Sequence, residues 1–393
     1  MASGTDTGET VAEPVAAETV PRRRWPWVAL VFVLVMTVAA AAVWLVVGRP
    51  TRTPAEVARE ELRVARLELI NAAGAHYVGR FTGKNGQSAG LDLRVTNTGD
   101  ASGTIEFEPG TTLKYLRAGG KTFVQGGREA LLALGFSEEG ATGSAGRQIL
   151  QTSYLFEVDV VAELLPSTLG RGLDPNADNR IPVDTGPTAT IDGASATGVV
   201  SGAVTTYVAS NHVVRVVDPT FDVRVTRMDT VAVAQLYSNL RTTVSILDDA
   251  SNLETQVVSD SGWSTPCGPR CSAVATLTST PKPFVKVTLP GVTLPVDTIF
   301  VAYQLELTID GTPLDRPDCS GIVEMPGAGT TTVSCAFAVG PGARIESRLT
   351  TRPILGRAAA DDLVRSWDTN AKLSKDKARC PTTSTRGEPK TSC

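Results

Sequence analysis

The hydrophobic pattern of the chain changes period several times, and each change marks a boundary. Residues 25–48, WPWVALVFVLVMTVAAAAVWLVVG, run 24 positions without a charge. As a helix this is about 36 Å long against a hydrocarbon core of about 30 Å, so the pattern predicts one transmembrane helix. Next, Ala58, Leu62, Ala65, Leu69 and Ala72 recur at three- and four-residue steps and predict an amphipathic helix. It starts at TPAE, where Thr53 can cap, Pro54 suits the first helical position and Glu56 completes a capping box. The period then drops to two. Leu91, Leu93 and Val95 alternate with Asp92, Arg94 and Thr96, a half-buried strand, and NTGD at 97–100 supplies its turn.

Further strands are expected at 77–81, 104–107, 113–116 and 122–125, followed by helical patterns in REALLALG and in RQILQTSYLFEVDVVAELL up to Pro166. Strands resume in TATIDGASATGVVSGAVTTYVAS, HVVRVVD and TFDVRVT, and Asp229 or Thr230 can cap a helix that lines Val233, Leu236, Leu240, Val244 and Leu247 on one face. Residues 53–247 therefore read as an α+β layer, a curved antiparallel sheet with helices on one face. Residues 248–352 show six or seven short strands broken by PKP, DGTP and PGAG, the pattern of an all-β, immunoglobulin-like sandwich. Residues 353–393 hold a short amphipathic helix carrying Ala360, Leu363, Val364 and Trp367, then a polar tail.

Charge orients this plan. Arg22, Arg23 and Arg24 precede the apolar run, and Trp25, Trp27 and Trp44 lie near its ends. The positive-inside bias holds residues 1–24 in the cytosol and sends the rest outward. That tail is rich in Thr, Ala and Glu and almost without large apolar groups to bury, so it is expected to be disordered. A cleaved secretory signal is the rival, with Ala39 to Ala42 as small residues for a peptidase. The run continues through Val43 to Val47 past a usual signal core, which favours an uncleaved, single-pass type II anchor. Either way the large region lies outside the cytosol. A net charge of −4 with mixed signs gives no basic stripe for nucleic acid.

The element order, with NAAGAHYVGRFTG leading into the sheet and LKYLRAGGKTFVQGGREALLALG at its middle, resembles the LppX and LprG group of actinobacterial cell-envelope lipoproteins, which are similar in shape to the carriers LolA and LolB. The resemblance covers less than half the chain. It implies a half-barrel whose concave face, closed by helices, encloses an apolar cavity for lipid acyl chains. This chain departs from that group in having a transmembrane segment in place of a lipid anchor and a second domain, so lipid sensing or presentation fits better than shuttling.

Candidate chemistry is sparse. All six cysteines follow residue 266, and their separations suggest Cys267 with Cys271, Cys319 with Cys335, and Cys380 with Cys393, as disulfides in an oxidising compartment. LDPNADNR places Asp174, Asn176 and Asp178 at alternate positions like the start of a calcium loop, yet Asn179 stands where Gly is wanted and Thr185 where a bidentate Glu is wanted. The two histidines, His76 and His212, sit in strand-like segments and read as structural. Ser-x-x-Lys at 279–282 and 374–377 lacks the partner motifs of acylating enzymes. No phosphate loop, dinucleotide fingerprint or Gly-x-Ser-x-Gly is present. The expectation is a non-enzymatic, membrane-anchored cell-envelope protein without cofactor that binds or senses an acyl lipid. The alternatives are a surface interaction or scaffold protein that presents its domains to an envelope partner, and an envelope hydrolase.

Overall fold

A computed structural model describes residues 52–151, 155–174, 182–252, 255–263, 270–281, 298–314, 319–340 and 342–379. All elements below belong to the unit Pro54–Cys393. No helix among the described residues is long and apolar enough to cross a membrane, so the expected transmembrane helix finds no support in the fold. Residues 25–48, on which that expectation rested, lie outside the described residues.

In chain order the elements are α1 (Pro54–Ile70), β1 (Gly74–Thr82), β2 (Ser88–Thr96), β3 (Ala101–Glu108), β4 (Thr111–Ala118), β5 (Lys121–Gly126), α2 (Arg128–Ala133), α3 (Glu138–Ser144), β6 (Ile149–Gln151), α4 (Val160–Leu164) and α5 (Pro166–Gly172). Five strands follow, β7 (Val183–Ile191), β8 (Ala194–Ser201), β9 (Val204–Ala209), β10 (His212–Val217) and β11 (Phe221–Met228), then α6 (Thr230–Ser245). The remainder is β12 (Ser251–Asn252), β13 (Thr255–Trp263), β14 (Arg270–Pro281), β15 (Ile299–Ile309), β16 (Thr312–Leu314), β17 (Ser320–Met325), β18 (Gly329–Ala338), β19 (Ile345–Ile354) and α7 (Arg357–Arg379).

The expected division into an α+β half-barrel and a separate immunoglobulin-like sandwich does not hold. Among the described residues one sheet of 16 strands runs β16-β15-β19-β12-β6-β5-β4-β3-β2-β1-β11-β10-β9-β8-β7, with β17 on β15. The seam is the two-residue β12, which pairs in parallel with β6 and antiparallel with β19. Around it Ser251 N–H donates to the Gln148 carbonyl at 2.9 Å, and Arg352 bonds the Asp249 carbonyl at 2.5 Å and pairs with the Asp249 carboxylate. Backbone ladders are directional and must be satisfied when buried, so this seam fixes both halves in one body. The three strands β13-β14-β18 pack over β15 and β17 through Ala275, Leu277, Val301, Met325 and Val333. A second layer therefore exists, but its partner layer belongs to the large sheet.

Helices also cover both faces, where one was expected. In β4, Leu113 and Tyr115 join the core beneath α1 to α4, whereas Leu116 and Ala118 join the core beneath α6 and α7. The period-two alternation of a strand makes this division: neighbouring side chains point to opposite faces. The first core contains Leu62, Tyr77, Phe81, Leu93, Ile105 and Leu131, and the second contains Phe123, Leu236, Tyr237, Leu363 and Trp367.

The second face is pinned by a buried carboxylate. Asp100, only 1% exposed, follows the β2–β3 turn. Its Oδ1 accepts from Gly119 N–H at 3.0 Å, and its Oδ2 accepts from Tyr237 O–H and Asn370 Nδ2, both at 2.9 Å. Trp367 Nε1 donates to the Tyr237 carbonyl at 3.0 Å, their rings meet edge to face at 4.7 Å, and Ser374 Oγ donates to Asn97 Oδ1 at 2.9 Å. Gly119 is required here. Its φ is +55°, and a Cβ would stand 3.0 Å from Ser366 Oγ and 3.1 Å from Leu363 Cδ2.

Burial pushes the Asp100 carboxyl pKa up, against the donors Asn370, Tyr237 and Gly119 and the charge of Arg117, which pull it down. Asp100→Ala strands Gly119 N–H and the Asn370 amide, while Tyr237 O–H keeps Thr96 and Thr98 within reach, and should lower the unfolding free energy by about 2–3 kcal/mol. Because the folded pKa lies above the unfolded one, the proton-linked stability of Asp100 is full below the ordinary carboxylate range and is lost as pH rises through the raised value. The gap between wild type and variant in urea unfolding should therefore widen on acidification; a gap that narrows would contradict this account.

Candidate functional site

At one end of the first core, the β1–β2 hairpin, the end of β3 and α2 frame a cleft of about 420 Å³. Its apolar lining is Phe107, Ala133 and Phe156; Gln87, Ser88, Thr111, Glu108 and Glu129 supply the polar rim. The rings form a relay from solvent to core. Phe156 stacks on the fully buried Phe81 at 5.9 Å and meets Phe107 edge to face at 5.5 Å, and Phe81 lies 6.5 Å from Phe221.

Phe156 is held there by an unusual backbone. Leu155 and Val158 exchange hydrogen bonds of 2.8 and 2.9 Å, closing a two-residue turn. The central pair, Phe156 (φ +50°) and Glu157 (φ +66°), are both left-handed without being glycine. Such a turn normally takes Asn-Gly, and each non-glycine residue costs about 1 kcal/mol. Gly83 in the β1–β2 hairpin makes room: a Cβ on it would lie 2.3 Å from Phe156 Cβ and 2.5 Å from its carbonyl oxygen. Lys84 N–H donates to that same carbonyl at 3.2 Å. Glu129's own backbone N–H and the neighbouring Arg128, 2.9 Å away, hold its carboxyl below the usual value, and Arg128 also pairs with Glu138.

The sequence did not point here. RQILQTSYLFEVDVVAELL reads as helix by apolar spacing, whereas among its described residues the structure places the three-residue β6, the turn at Phe156 and Glu157, and the N-cap Asp159 of α4. No Gly or Asn marks the turn, and the fit to Gly83 is a contact between residues far apart in the chain.

The residues singled out from sequence lie elsewhere. Asp174 pairs with Arg66 at 2.9 Å, and Asn176 and Asp178 fall outside the described residues. Among the described residues no group of three His, Cys, Asp or Glu side chains could hold a metal. His76 pairs with Asp92 at 2.6 Å and His212 with Glu68 at 2.5 Å, both at the surface. Ser279 Oγ donates to the Pro326 carbonyl at 2.6 Å and Ser374 to Asn97, so both hydroxyls serve structure.

Cys319 and Cys335 form a disulfide with Cα atoms 5.1 Å apart. The bond joins the start of β17 in the large sheet to β18 in the small one, across layers rather than between neighbouring strands of one sheet. Cys271 is also disulfide-bonded and buried. Cys267, Cys380 and Cys393 lie outside the described residues.

No family model matches the chain, and no curated protein does. Among solved structures, the crystal structure of MHC-like MILL2 aligns with 71% of this chain and 99% of that chain at 10% identity and a TM-score of 0.12, a likeness that carries no argument about fold or function.

Two measurements check this geometry. Glu157→Gly should raise the unfolding free energy by about 1 kcal/mol, because it removes a left-handed side chain at an exposed position; a loss of stability would mean that the turn is not left-handed. Cys319→Ser with Cys335→Ser opens a loop with a sequence separation of 16. Guanidinium unfolding of that pair should show a loss of about 3 kcal/mol.

Proposed function

We propose that the protein is a non-catalytic binding protein of the extracytoplasmic cell envelope that takes the acyl chain of a lipid into the Phe107–Phe156 cleft. One observation carries the reading: Phe156 is held, at a cost in backbone energy, between Phe81 and Phe107 over a cleft of about 420 Å³. Backbone strain of this kind persists where a site needs a side chain in one place. Clefts of several hundred Å³ with aromatic walls and a few polar groups are the usual form of a small-ligand site. The sequence resemblance to the LppX and LprG group implies the same ligand class, although the half-barrel around an internal cavity that it also implies is not the fold found here.

The polar groups support binding rather than chemistry. Ser88 Oγ donates to the Phe81 carbonyl at 3.1 Å, which leaves it no base to activate it. Glu108 and Glu129 are exposed carboxylates at the rim, Glu129 paired with Arg128, and they suit a ligand whose head is neutral or zwitterionic. Beneath the rim, Leu62, Tyr77, Leu93, Ile105, Leu113 and Leu131 pack as a filled core, so a chain would lie along the aromatic rim and not thread through the sheet. The disulfide agrees with an oxidising compartment. The filled core also favours a second reading, in which the cleft and its rim are a contact surface for another envelope protein.

Organic extraction of the native protein followed by mass spectrometry should return a neutral or zwitterionic acyl lipid. Phe156→Ala removes one ring from the relay, worth about 1.5 kcal/mol of apolar contact, and should weaken uptake of a fluorescent monoacylglycerol roughly tenfold. A lipid-free protein that takes up no probe would sink the acyl reading and leave the protein-contact reading standing.

A further inference from the structure

On the opposite face of the sheet a second furrow of about 470 Å³ runs between α6 and α7. Its floor is Val233, Tyr237 and Trp367, all buried, and its walls are the small side chains of Ala234 and Ala371. Between Thr230 and Arg241 on α6 it extends about 16 Å at the helical rise of 1.5 Å per residue. The two ends differ. At one, Arg241 bridges to Asp368 through two hydrogen bonds of 3.0 and 2.9 Å and spans the furrow. At the other, Lys372 and Lys375 stand exposed, with no ion pair or hydrogen bond among the described residues.

Asp368, the single carboxylate among these lining residues, is paired with Arg241, and at the open end the exposed Asp229 and Asp376 stand nearby without pairing to Lys372 or Lys375 among the described residues. The walls are pre-set as well: Trp367 is bonded to Tyr237, Tyr237 and Asn370 to Asp100, and Ser374 to Asn97. A ligand therefore orders little on binding. An apolar groove bridged at one end by Arg241 and Asp368, with lysines at the other, suits a single chain with an anionic end. A partner helix would have to continue through the Arg241–Asp368 bridge.

We infer that this furrow binds a single-chain anionic amphiphile, a fatty-acid-like carboxylate taken up as a free monomer. The chain lies over Val233, Tyr237 and Trp367, and the carboxylate pairs with Lys372 and Lys375. The site lies on the other face of the sheet from the Phe107–Phe156 cleft, whose rim carries the carboxylates Glu108 and Glu129 in place of lysines.

Isothermal titration of the full-length protein with dodecanoate below its micellar concentration tests this. One molecule should bind, with affinity falling as salt rises, and dodecanol should bind at least tenfold more weakly. Lys372→Glu with Lys375→Glu should cost at least tenfold and remove the salt dependence. Ala371→Phe, which fills the trough and spares both lysines, should abolish binding; matched circular dichroism and melting would show that both variants fold. Phe156→Ala should leave dodecanoate binding unchanged, which separates this site from the aromatic cleft. Absent binding, binding indifferent to the lysine and Ala371 changes, binding lost with Phe156→Ala, or attachment to phosphatidylglycerol vesicles without uptake of monomer would each overturn the inference.

Discussion

A carboxylate taken out of water must be met by donors or give up its charge, and the placement of Asp100 imposes that demand on four parts of the chain at once. The turn after β2 presents it, the turn after β4 supplies Gly119 N–H, α6 supplies Tyr237 and α7 supplies Asn370. A purely apolar contact between α7 and the sheet could slide by a turn at little cost. The directional bonds to Asp100, with Ser374 on Asn97 and Trp367 on the Tyr237 carbonyl, permit one register only. The furrow between α6 and α7 inherits its shape from this requirement, since its floor residues are themselves members of the network.

A second joint has the same logic in backbone form. Ser251 and Asn252 are only two residues of strand, yet they lie between β6 and β19 and carry the ladder from the first half of the chain into the second. Ala250 and Asp248 carbonyls then accept from Leu355 and Gly356 N–H, both at 2.9 Å, which starts α7 directly beside the seam. Without this link the later strands would have been free to form the independent sandwich that their alternation suggests.

That contrast explains what was legible in the chain. Periodicity reports burial on one face of one element, so α1, β2, α6 and α7 are readable from Leu62 and Leu69, from Leu91 and Leu93, from Val233 and Leu236, and from Leu363 and Trp367. The pairing of Cys319 with Cys335 was readable from spacing and number. Elements too short for a period, β6 and β12, were not readable, and they decide whether the molecule has one sheet or two. Both clefts were equally hidden. Asp100 and Asn370 are 270 positions apart, and the Phe156 turn depends on an absent side chain at Gly83, a complementarity that no local window contains.

The two clefts follow from the sheet itself. Because alternate side chains of β4 point into different cores, each face can carry its own helices and its own surface charge without disturbing the other. On the first face, Glu108 and Glu129 rim an aromatic cleft; on the second, Lys372 and Lys375 end an apolar furrow. On the two proposals above, the groups at the rims and not the chains would separate the ligands, since apolar burial scales with area and says little about which chain is bound. On those proposals, a single sheet with helices on both faces would keep two amphiphile classes apart, a division that a hollow barrel with one internal cavity could not make.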